Sequence, residues 1–239
     1  MLKQAIILAA GFGSRLQSQH TLKPLIEIDG KALILRTLET LESAGCDEIV
    51  ITVGYKADRI KRYLSKHYTG ACQLNFAFND QYHLGNGLSV LSADAWIRDR
   101  FILSMADHLF SREIPHILRS ASMPERGAAL LVDYKIDEVF DLDDATKVLT
   151  NGDHIVKIGK ALREYNCIDT GLFLCSRDLM AALKQVVAEK GDASLSEGIA
   201  LLGSKGIMRA IDIGDATWQD IDDPDMLEQG WKMLNCEPT

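Results

Sequence analysis

The stretch Ala5-Ile6-Ile7-Leu8-Ala9-Ala10-Gly11-Phe12-Gly13-Ser14-Arg15-Leu16 decides how this chain is read. Ala5–Leu8 is a continuous apolar run ending in small residues, the pattern of a central parallel strand buried on both faces. A strand that runs into Ala-Ala-Gly-x-Gly and then turns into a helix lines a concavity with backbone N–H groups. Small residues are needed there, because a phosphate approaches the backbone only where no side chain intervenes. The start of the following helix adds the positive end of its dipole. Arg15 offers a planar fork to phosphate oxygens, and Lys23, just before Pro24, adds a mobile point charge.

Two rival glycine motifs fit less well. The dinucleotide fingerprint wants glycine where this chain has Leu16, and it has no use for Arg15 and Lys23. The P-loop closes on Gly-Lys-Ser/Thr, which is absent here. The glycines alone would also suit a tight turn with solvated charges. With Arg15 and Lys23-Pro24 at this spacing, the loop reads as a grip for a nucleoside triphosphate.

Outward from the loop, strand and helix signals alternate. Leu33, Ile34, Leu38 and Leu41 recur at helical spacing over 32–41, and Gly45 stops that helix. Strands are expected at 48–53, 73–78, 101–105 and 128–132, and helices at 57–63, 89–96 and 114–120. This alternation predicts an α/β fold: a Rossmann-like, mainly parallel mixed sheet with helices on both faces. From 133 the pattern changes. A polar segment over 133–144 precedes short strands at 146–150 and 154–158 around an Asn151-Gly152 turn, which reads as an antiparallel insertion in the second half. Helices at 178–190 and 196–202, a strand at 206–212 and a helix at 224–234 opened by Pro224 complete the chain. A single domain over 1–239 is the expectation.

Composition narrows the function classes. The net charge is −8, from 26 Lys and Arg against 34 Asp and Glu, with no basic run, so a nucleic-acid binder is disfavoured. An acidic chain that holds a polyanion needs few, well-placed cations and the help of a metal. The five cysteines are scattered without a C-x-x-C pair, as expected of small apolar residues in a reducing cytoplasm. The apolar stretch after Lys3 is too short for a signal peptide or a membrane span, so a soluble, cytoplasmic chain is expected.

Three polar constellations add chemistry. Gly85-Asn86-Gly87-Leu88-Ser89 follows the strand that leads to Asn79 and suits close hydrogen bonding to a base edge. It would equally serve as a helix start with Asn86 as cap. Asp107 sits just past a buried strand, where open α/β sheets bind ligands, and a hard oxygen ligand there suits Mg²⁺. In Trp218-Gln219-Asp220-Ile221-Asp222-Asp223-Pro224, an extended backbone puts Asp220 and Asp222 on one face. Two like carboxylates together want a cation. Asp223 reads as a helix cap, and His108 as a loop histidine outside the site.

L-A-A-G-x-G-S-R-L followed by K-P-L resembles the signature of nucleotidyltransferases that attach a nucleotide to sugar phosphates, phosphocholine or inositol phosphate. The resemblance implies a nucleotide-diphospho-sugar transferase type of fold. It implies that Leu8, Ala9, Ala10, Gly11, Gly13 and Ser14 line the triphosphate, that Arg15 and Lys23 stabilise its charge, and that Asp107 with Asp222, and Asp220 as a further candidate, holds Mg²⁺. An Asn-x-x-Ser element like Asn86 and Ser89, with Asn79 and Gly87 beside it, is similar to relatives that use CTP. Asp141-Leu142-Asp143-Asp144-Ala145-Thr146-Lys147-Val148, Ile158-Gly159-Lys160-Ala161-Leu162 and Ile168-Asp169-Thr170-Gly171 resemble the inositol-1-phosphate cytidylyltransferase group, and the likeness spans nearly the whole chain.

That likeness implies transfer of a cytidylyl group from CTP to L-myo-inositol 1-phosphate, giving CDP-inositol and pyrophosphate. Lys160, Lys147 and Asp169 would bind the acceptor, although read from the residues alone they also suit strand-edge charges and a turn. Members of the group are often fused to a membrane-embedded phosphotransferase, so a stand-alone enzyme and the cytoplasmic part of a bifunctional protein are both open. Phosphocholine or a sugar 1-phosphate are the alternative acceptors. A nucleotide-sensing subunit without chemistry is a different class of reading; it predicts losses among Arg15, Lys23, Asp107 and Asp222, all of which are present.

Overall fold

A computed structural model describes residues 4–12, 22–122 and 125–236. The first strand, β1 (Gln4–Ala9), is the apolar run anticipated above, and all but one of its residues are buried. Its parallel neighbours are β4 (Glu48–Val53) and β6 (Phe101–Met105), with β5 (Gln73–Phe78) outside β4. Three helices, α1 (Leu33–Ser43), α2 (Ala57–His67) and α4 (Ile114–Ser120), cover one face. They pack Leu38, Leu41, Ile60, Leu64 and Leu118 against Ala5, Ile7 and Ala9. The other face carries α3 (Asn86–Ser92), α5 (Asp178–Lys190) and α6 (Leu195–Ser204), whose Val90, Leu183 and Ile199 share a core with Ile6 and Leu103. Alternate residues of β1 thus feed two cores, as period-two side-chain geometry requires.

The second half contributes β8 (Ala128–Asp133), β9 (Lys147–Asn151), β10 (His154–Gly159), β11 (Cys167–Cys175) and β12 (Met208–Asp212), giving a nine-stranded mixed sheet in the order β5-β4-β1-β6-β11-β8-β12-β10-β9. The expected Asn151-Gly152 turn joins β9 to β10, with Gly152 at φ 59°. The sequence reading left 159–177 without a strand, yet β11 lies in the middle of the sheet, antiparallel to both β6 and β8. Antiparallel pairing therefore enters the centre of the sheet as well as its edge. The strand is disguised by Asp169-Thr170-Gly171, where Gly171 takes φ 75° and the pairing with β8 slips between Asp169 and Phe173. The helix expected at 89–96 instead begins at Asn86 and ends at Ser92, followed by a single 3-10 turn over Asp94–Trp96.

Two small ribbons position the site. β2 (Glu27–Ile28) pairs with β3 (Lys31–Ala32), and β7 (His108–Phe110) pairs with β13 (Trp218–Asp220). A third core of Ile26, Ile28, Leu33, Leu109, Ile221 and Met226 clamps both ribbons under α7 (Pro224–Cys236). The four described cysteines outside α7, Cys46, Cys72, Cys167 and Cys175, are buried free thiols.

Candidate functional site

The site forms where β1 and β6 end. Beyond Ala9 the chain passes through Ala10 and Gly11, and the carbonyls of Leu8 and Ala10 accept from Ala106 N–H at 3.2 Å and Tyr55 N–H at 3.1 Å. The loop is thereby tied to β6 and β4. Gly13, Ser14, Arg15 and Leu16 lie outside the described residues.

Lys23 begins a 3-10 turn through Leu25, fixed by Leu25 N–H donating to Leu22 O at 2.8 Å and by burial of Pro24 and Leu25. Its ammonium lies 2.6 Å from Asp107 Oδ2 and 2.5 Å from Asp222 Oδ1. Asp107 stands two residues past β6, and its carbonyl accepts from Ile221 N–H at 3.0 Å. That bond extends the β7–β13 pairing and brings Asp222, more than a hundred residues away in sequence, beside Asp107. Asp223 caps α7 by accepting from Met226 N–H at 2.8 Å, as expected of it.

The charges are strongly interdependent. Burial alone would favour neutral Asp107, but Lys23 and His108 outweigh it and hold the carboxyl well below the usual carboxylate range. Burial likewise works against the Lys23 ammonium, and the charges of Asp107 and Asp222 override it, leaving its pKa above the ordinary lysine value. Asp220 pairs across the ribbon with His108; burial pushes its pKa up against the pull of His108, and the nearby charges of Asp222 and Asp107 add to the rise. Among the described residues no three acidic, histidine or cysteine side chains gather closely enough to hold a metal by themselves. Asp107 and Asp222 are brought together; Asp220 is not brought into a three-ligand group with them.

His108, set aside in the sequence reading, belongs to the site. Its Nδ1 is 2.8 Å from Asp107 Oδ1, and its ring stacks on Trp218 with centroids 5.9 Å apart and planes 13° apart. Gly171 leaves room for it, since a Cβ there would lie 2.7 Å from His108 Nε2. Only adjacency to Asp107 hinted at this in the sequence. Asp144 was missed as well. It accepts from Lys160 Nζ at 2.9 Å, and the two reach from the far edge of the sheet into a cavity of about 320 Å³ shared with Leu8, Ala9, Gly11, Lys23, Asp107 and Asp222.

The other anticipated residues are placed differently. Lys147 is buried in β9 and donates to Asp143 O at 2.8 Å, bracing the segment before it. Asp169 accepts from Gly171 N–H at 2.7 Å, and burial lifts its pKa to about 6 against the opposing pull of that N–H and of His108. Neither is among the walls of the Lys23 cavity. Asn79 and Ser89 are both buried, with Asn79 Nδ2 donating to Ser89 Oγ at 3.0 Å. Asn86 Oδ1 accepts from Leu195 N–H at 2.8 Å, so it satisfies an orphan donor in the first turn of α6 and does not cap its own helix. Gly87 donates to Ala193 O at 2.9 Å, and a Cβ there would sit 2.6 Å from that oxygen.

A glycine turn, a lysine and a carboxylate pair at the carboxyl ends of parallel strands can grip a polyphosphate together with a cation. The bifunctional IPC transferase and DIPP synthase of Rubrobacter xylanophilus is 32% identical over 231 residues, covering 96% of this chain and 51% of that protein. The chain therefore spans about half the length of that relative. The UTP–glucose-1-phosphate uridylyltransferase AglF of Haloferax volcanii is 28% identical, with 99% of this chain and 98% of that one covered. The inositol-1-phosphate CTP transferase from T. maritima superposes with a TM-score of 0.83 at 29% identity, covering 100% of this chain and 98% of the other. Residues 5–202 match the MobA-like NTP transferase domain, and the chain belongs to that family.

Proposed function

We propose that this chain transfers a cytidylyl group from CTP to myo-inositol 1-phosphate, releasing pyrophosphate. The observation that carries the reading is the pocket in which Gly11, Lys23, Asp107, Asp222 and Lys160 meet. Its support from relatives is the likeness, above 25% identity and over the full chain, to the T. maritima inositol-1-phosphate CTP transferase. In this reading the acceptor's phosphate oxygen attacks the α-phosphorus in line, the α–β phosphoanhydride bond breaks, and pyrophosphate departs. No protein nucleophile is needed; positioning and charge stabilisation supply the catalysis.

The residues take roles according to where they sit. Lys23, held at the mouth of the glycine turn, transfers its contacts from the carboxylates to the phosphates as the triphosphate enters. Arg15 is assigned to the same phosphates from its place in the sequence. Lys160, anchored by Asp144, meets the acceptor phosphate on the opposite wall. Asp107 and Asp222 fit Mg²⁺, which typically binds through one or two carboxylates and completes its shell with phosphate oxygens and water. Bound there, the ion would neutralise charge on the triphosphate. His108 fixes one oxygen of Asp107 and leaves the other facing the pocket. Asn79 and Ser89, paired near the end of β5, are assigned to the cytosine edge. Fusion or association with a membrane phosphotransferase remains part of the proposal. Among the described residues no helix is long and apolar enough to cross a membrane.

A sugar 1-phosphate acceptor is the second reading, favoured by the full-length match to the Haloferax uridylyltransferase. Phosphocholine is less well served. Trp218 and Phe140 line a neighbouring cavity, but Tyr134 is not among its walls, and His108 covers one face of Trp218. Trp218, Tyr134 and Phe140 do not converge on one hollow as the aromatic cage that a quaternary ammonium needs. Pyrophosphate release from CTP, UTP and dTTP should be measured against inositol 1-phosphate, glucose 1-phosphate and phosphocholine. Turnover with CTP and inositol 1-phosphate is expected, and turnover confined to any other pair would reject the proposal.

A further inference from the structure

On the far side of the β7–β13 ribbon lies a cavity of about 500 Å³ that the proposed reaction does not use. Its walls include Arg36 of α1, Arg112 just after β7 and Arg119 of α4. Three guanidinium groups around one hollow stand out in a chain of net charge −8. Two carboxylates, Asp29 and Glu39, line the same hollow, and each has other donors bound to it. Glu39 is bound by Lys31 Nζ at 2.8 and 2.9 Å, and Asp29 accepts from Trp231 Nε1 at 2.8 Å and Asn235 Nδ2 at 3.2 Å.

Arg36 donates to the carbonyl of Ile28 at 2.5 Å, and Arg119 donates to the carbonyl of Ser43. Among the described residues neither makes an ion pair within 4.0 Å. Arg36 also carries a buried Nε that meets no acceptor among the described residues, the sole buried side-chain polar atom there left without one. A buried donor without a partner is costly, and such atoms are rare in folded proteins. Burial works against the Arg36 charge more strongly than nearby Asp29 and Glu39 support it. An anion in the hollow would supply the charge that burial of Arg36 lacks.

We propose that this cavity is a second, non-catalytic anion site for the phosphate group of a small molecule. Guanidinium forks match phosphate oxygens in pairs, which is why arginine predominates where phosphate is recognised bidentately. The volume lies within the range of small-molecule sites, so the hollow takes a phosphate together with the body that carries it. Leu109, Phe110 and Ser111 form part of the wall. Ser111 is bonded to Thr217 in both directions, by its N–H at 2.9 Å and by its Oγ accepting at 3.1 Å. A bound phosphate compound therefore rests against the ribbon that joins Asp107 to Asp222.

The test is equilibrium dialysis of inorganic pyrophosphate and, separately, CTP at constant ionic strength, with wild-type protein and two variants. Arg119→Glu with Arg112→Glu changes two exposed side chains of the cavity, and folding is checked by circular dichroism. Arg100→Glu, on an exposed loop away from the hollow, controls for charge alone. Wild type and Arg100→Glu should bind two equivalents of at least one probe. The double variant should retain one, with affinity for the lost equivalent down by at least about tenfold. One equivalent in all three proteins, or two in the double variant, overturns the proposal. Vesicles containing 30% phosphatidylglycerol form a further arm. Binding that depends on Arg112 and Arg119 only with vesicles would assign the cavity to a lipid surface and overturn the small-molecule reading.

Discussion

Lys23→Met should weaken catalysis and strengthen metal binding, two effects of opposite sign from one substitution. The Lys23 ammonium is 2.6 Å from Asp107 Oδ2 and 2.5 Å from Asp222 Oδ1. A Mg²⁺ or Mn²⁺ ion would approach the same oxygens to about 2.1 Å, so ammonium and metal compete for one volume. If the lysine withdraws to about 5 Å from the ion, their repulsion is about 1.7 kcal/mol in a water-like medium and about 6.6 kcal/mol at an effective dielectric constant near 20. Even the smaller figure corresponds to more than about tenfold in affinity.

Removing the ammonium also leaves two partly buried carboxylates facing each other. Breaking such a pair costs about 3–5 kcal/mol, which for a chain of this size lowers Tm by roughly 10 °C. The pH dependence carries the same signature. Asp107 has a depressed pKa, so its contribution is complete above the unfolded value near 3.9 and is lost as pH falls through the acid range. Lys23 has a raised pKa, so its contribution is complete below about 10.4 and is lost as pH rises beyond that. Both losses should be blunted in Lys23→Met.

Mn²⁺ binding followed by electron paramagnetic resonance, without nucleotide, gives the affinity directly, and thermal melts with and without Mn²⁺ give the stability. The variant should bind Mn²⁺ more than about tenfold more tightly than wild type, recover most of its lost Tm when the ion is added, and turn over about 10²–10³-fold more slowly. Lys160→Met removes an equal charge from the same cavity without vacating the carboxylate pair, and should tighten Mn²⁺ less. If wild type without nucleotide already binds Mn²⁺ as tightly as Lys23→Met, the lysine and the metal do not share a position and the reasoning fails.

Three further outcomes follow from single contacts. Asp169, with a folded pKa of about 6 against about 3.9 unfolded, makes the fold less stable as pH rises through that window. Asp169→Asn should therefore gain about 1–3 kcal/mol at pH 7.5 and little at pH 4 in urea melts; equal gains at both would contradict the assignment. Gly171→Ala forces a Cβ at φ 75° to within 2.7 Å of His108 Nε2, and should cost about 1–3 kcal/mol while displacing His108 from Asp107. Its metal affinity should drop with the stability, whereas a loss of stability alone would show that His108 does not orient Asp107 for the metal. Asn86→Ala should cost about 1 kcal/mol by freeing the Leu195 N–H, with the KM for CTP unchanged. A large rise in that KM would return Asn86 to the base.

The parts of the site that could be read from the sequence are those whose chemistry is local. Strand, glycine turn and Lys23-Pro24 lie within 21 residues, from Gln4 to Pro24, and Asp107 follows directly on a buried strand. What escaped the sequence depends on residues far apart in the chain. β7 and β13 are three residues each, too short to show a period, and they become a ribbon only because Ile221 and Leu109 share the small core under α7. That ribbon, rather than any feature of the D-x-D itself, sends Asp222 to Lys23 and leaves Asp220 across from His108.

The same holds for Lys160. In sequence it is one charge after a strand, and it enters the pocket because Asp144, from a different segment, holds it there. Asn86 shows the converse case. Its amide suits a base in isolation, but α6 begins beside it and presents an N–H that must be satisfied, and that local demand engages the amide oxygen. Asp169-Thr170-Gly171 misleads for a related reason. Its residues favour a turn, yet Phe173 and Leu174 have paired partners on both edges of β11, so the ladder absorbs the polar triplet as a bulge. The bulge in turn supplies the space that His108 needs. An apparent interruption in the strand pattern is therefore the reason Asp107 has a fixed orientation, a coupling that exists only once β11 lies between β6 and β8.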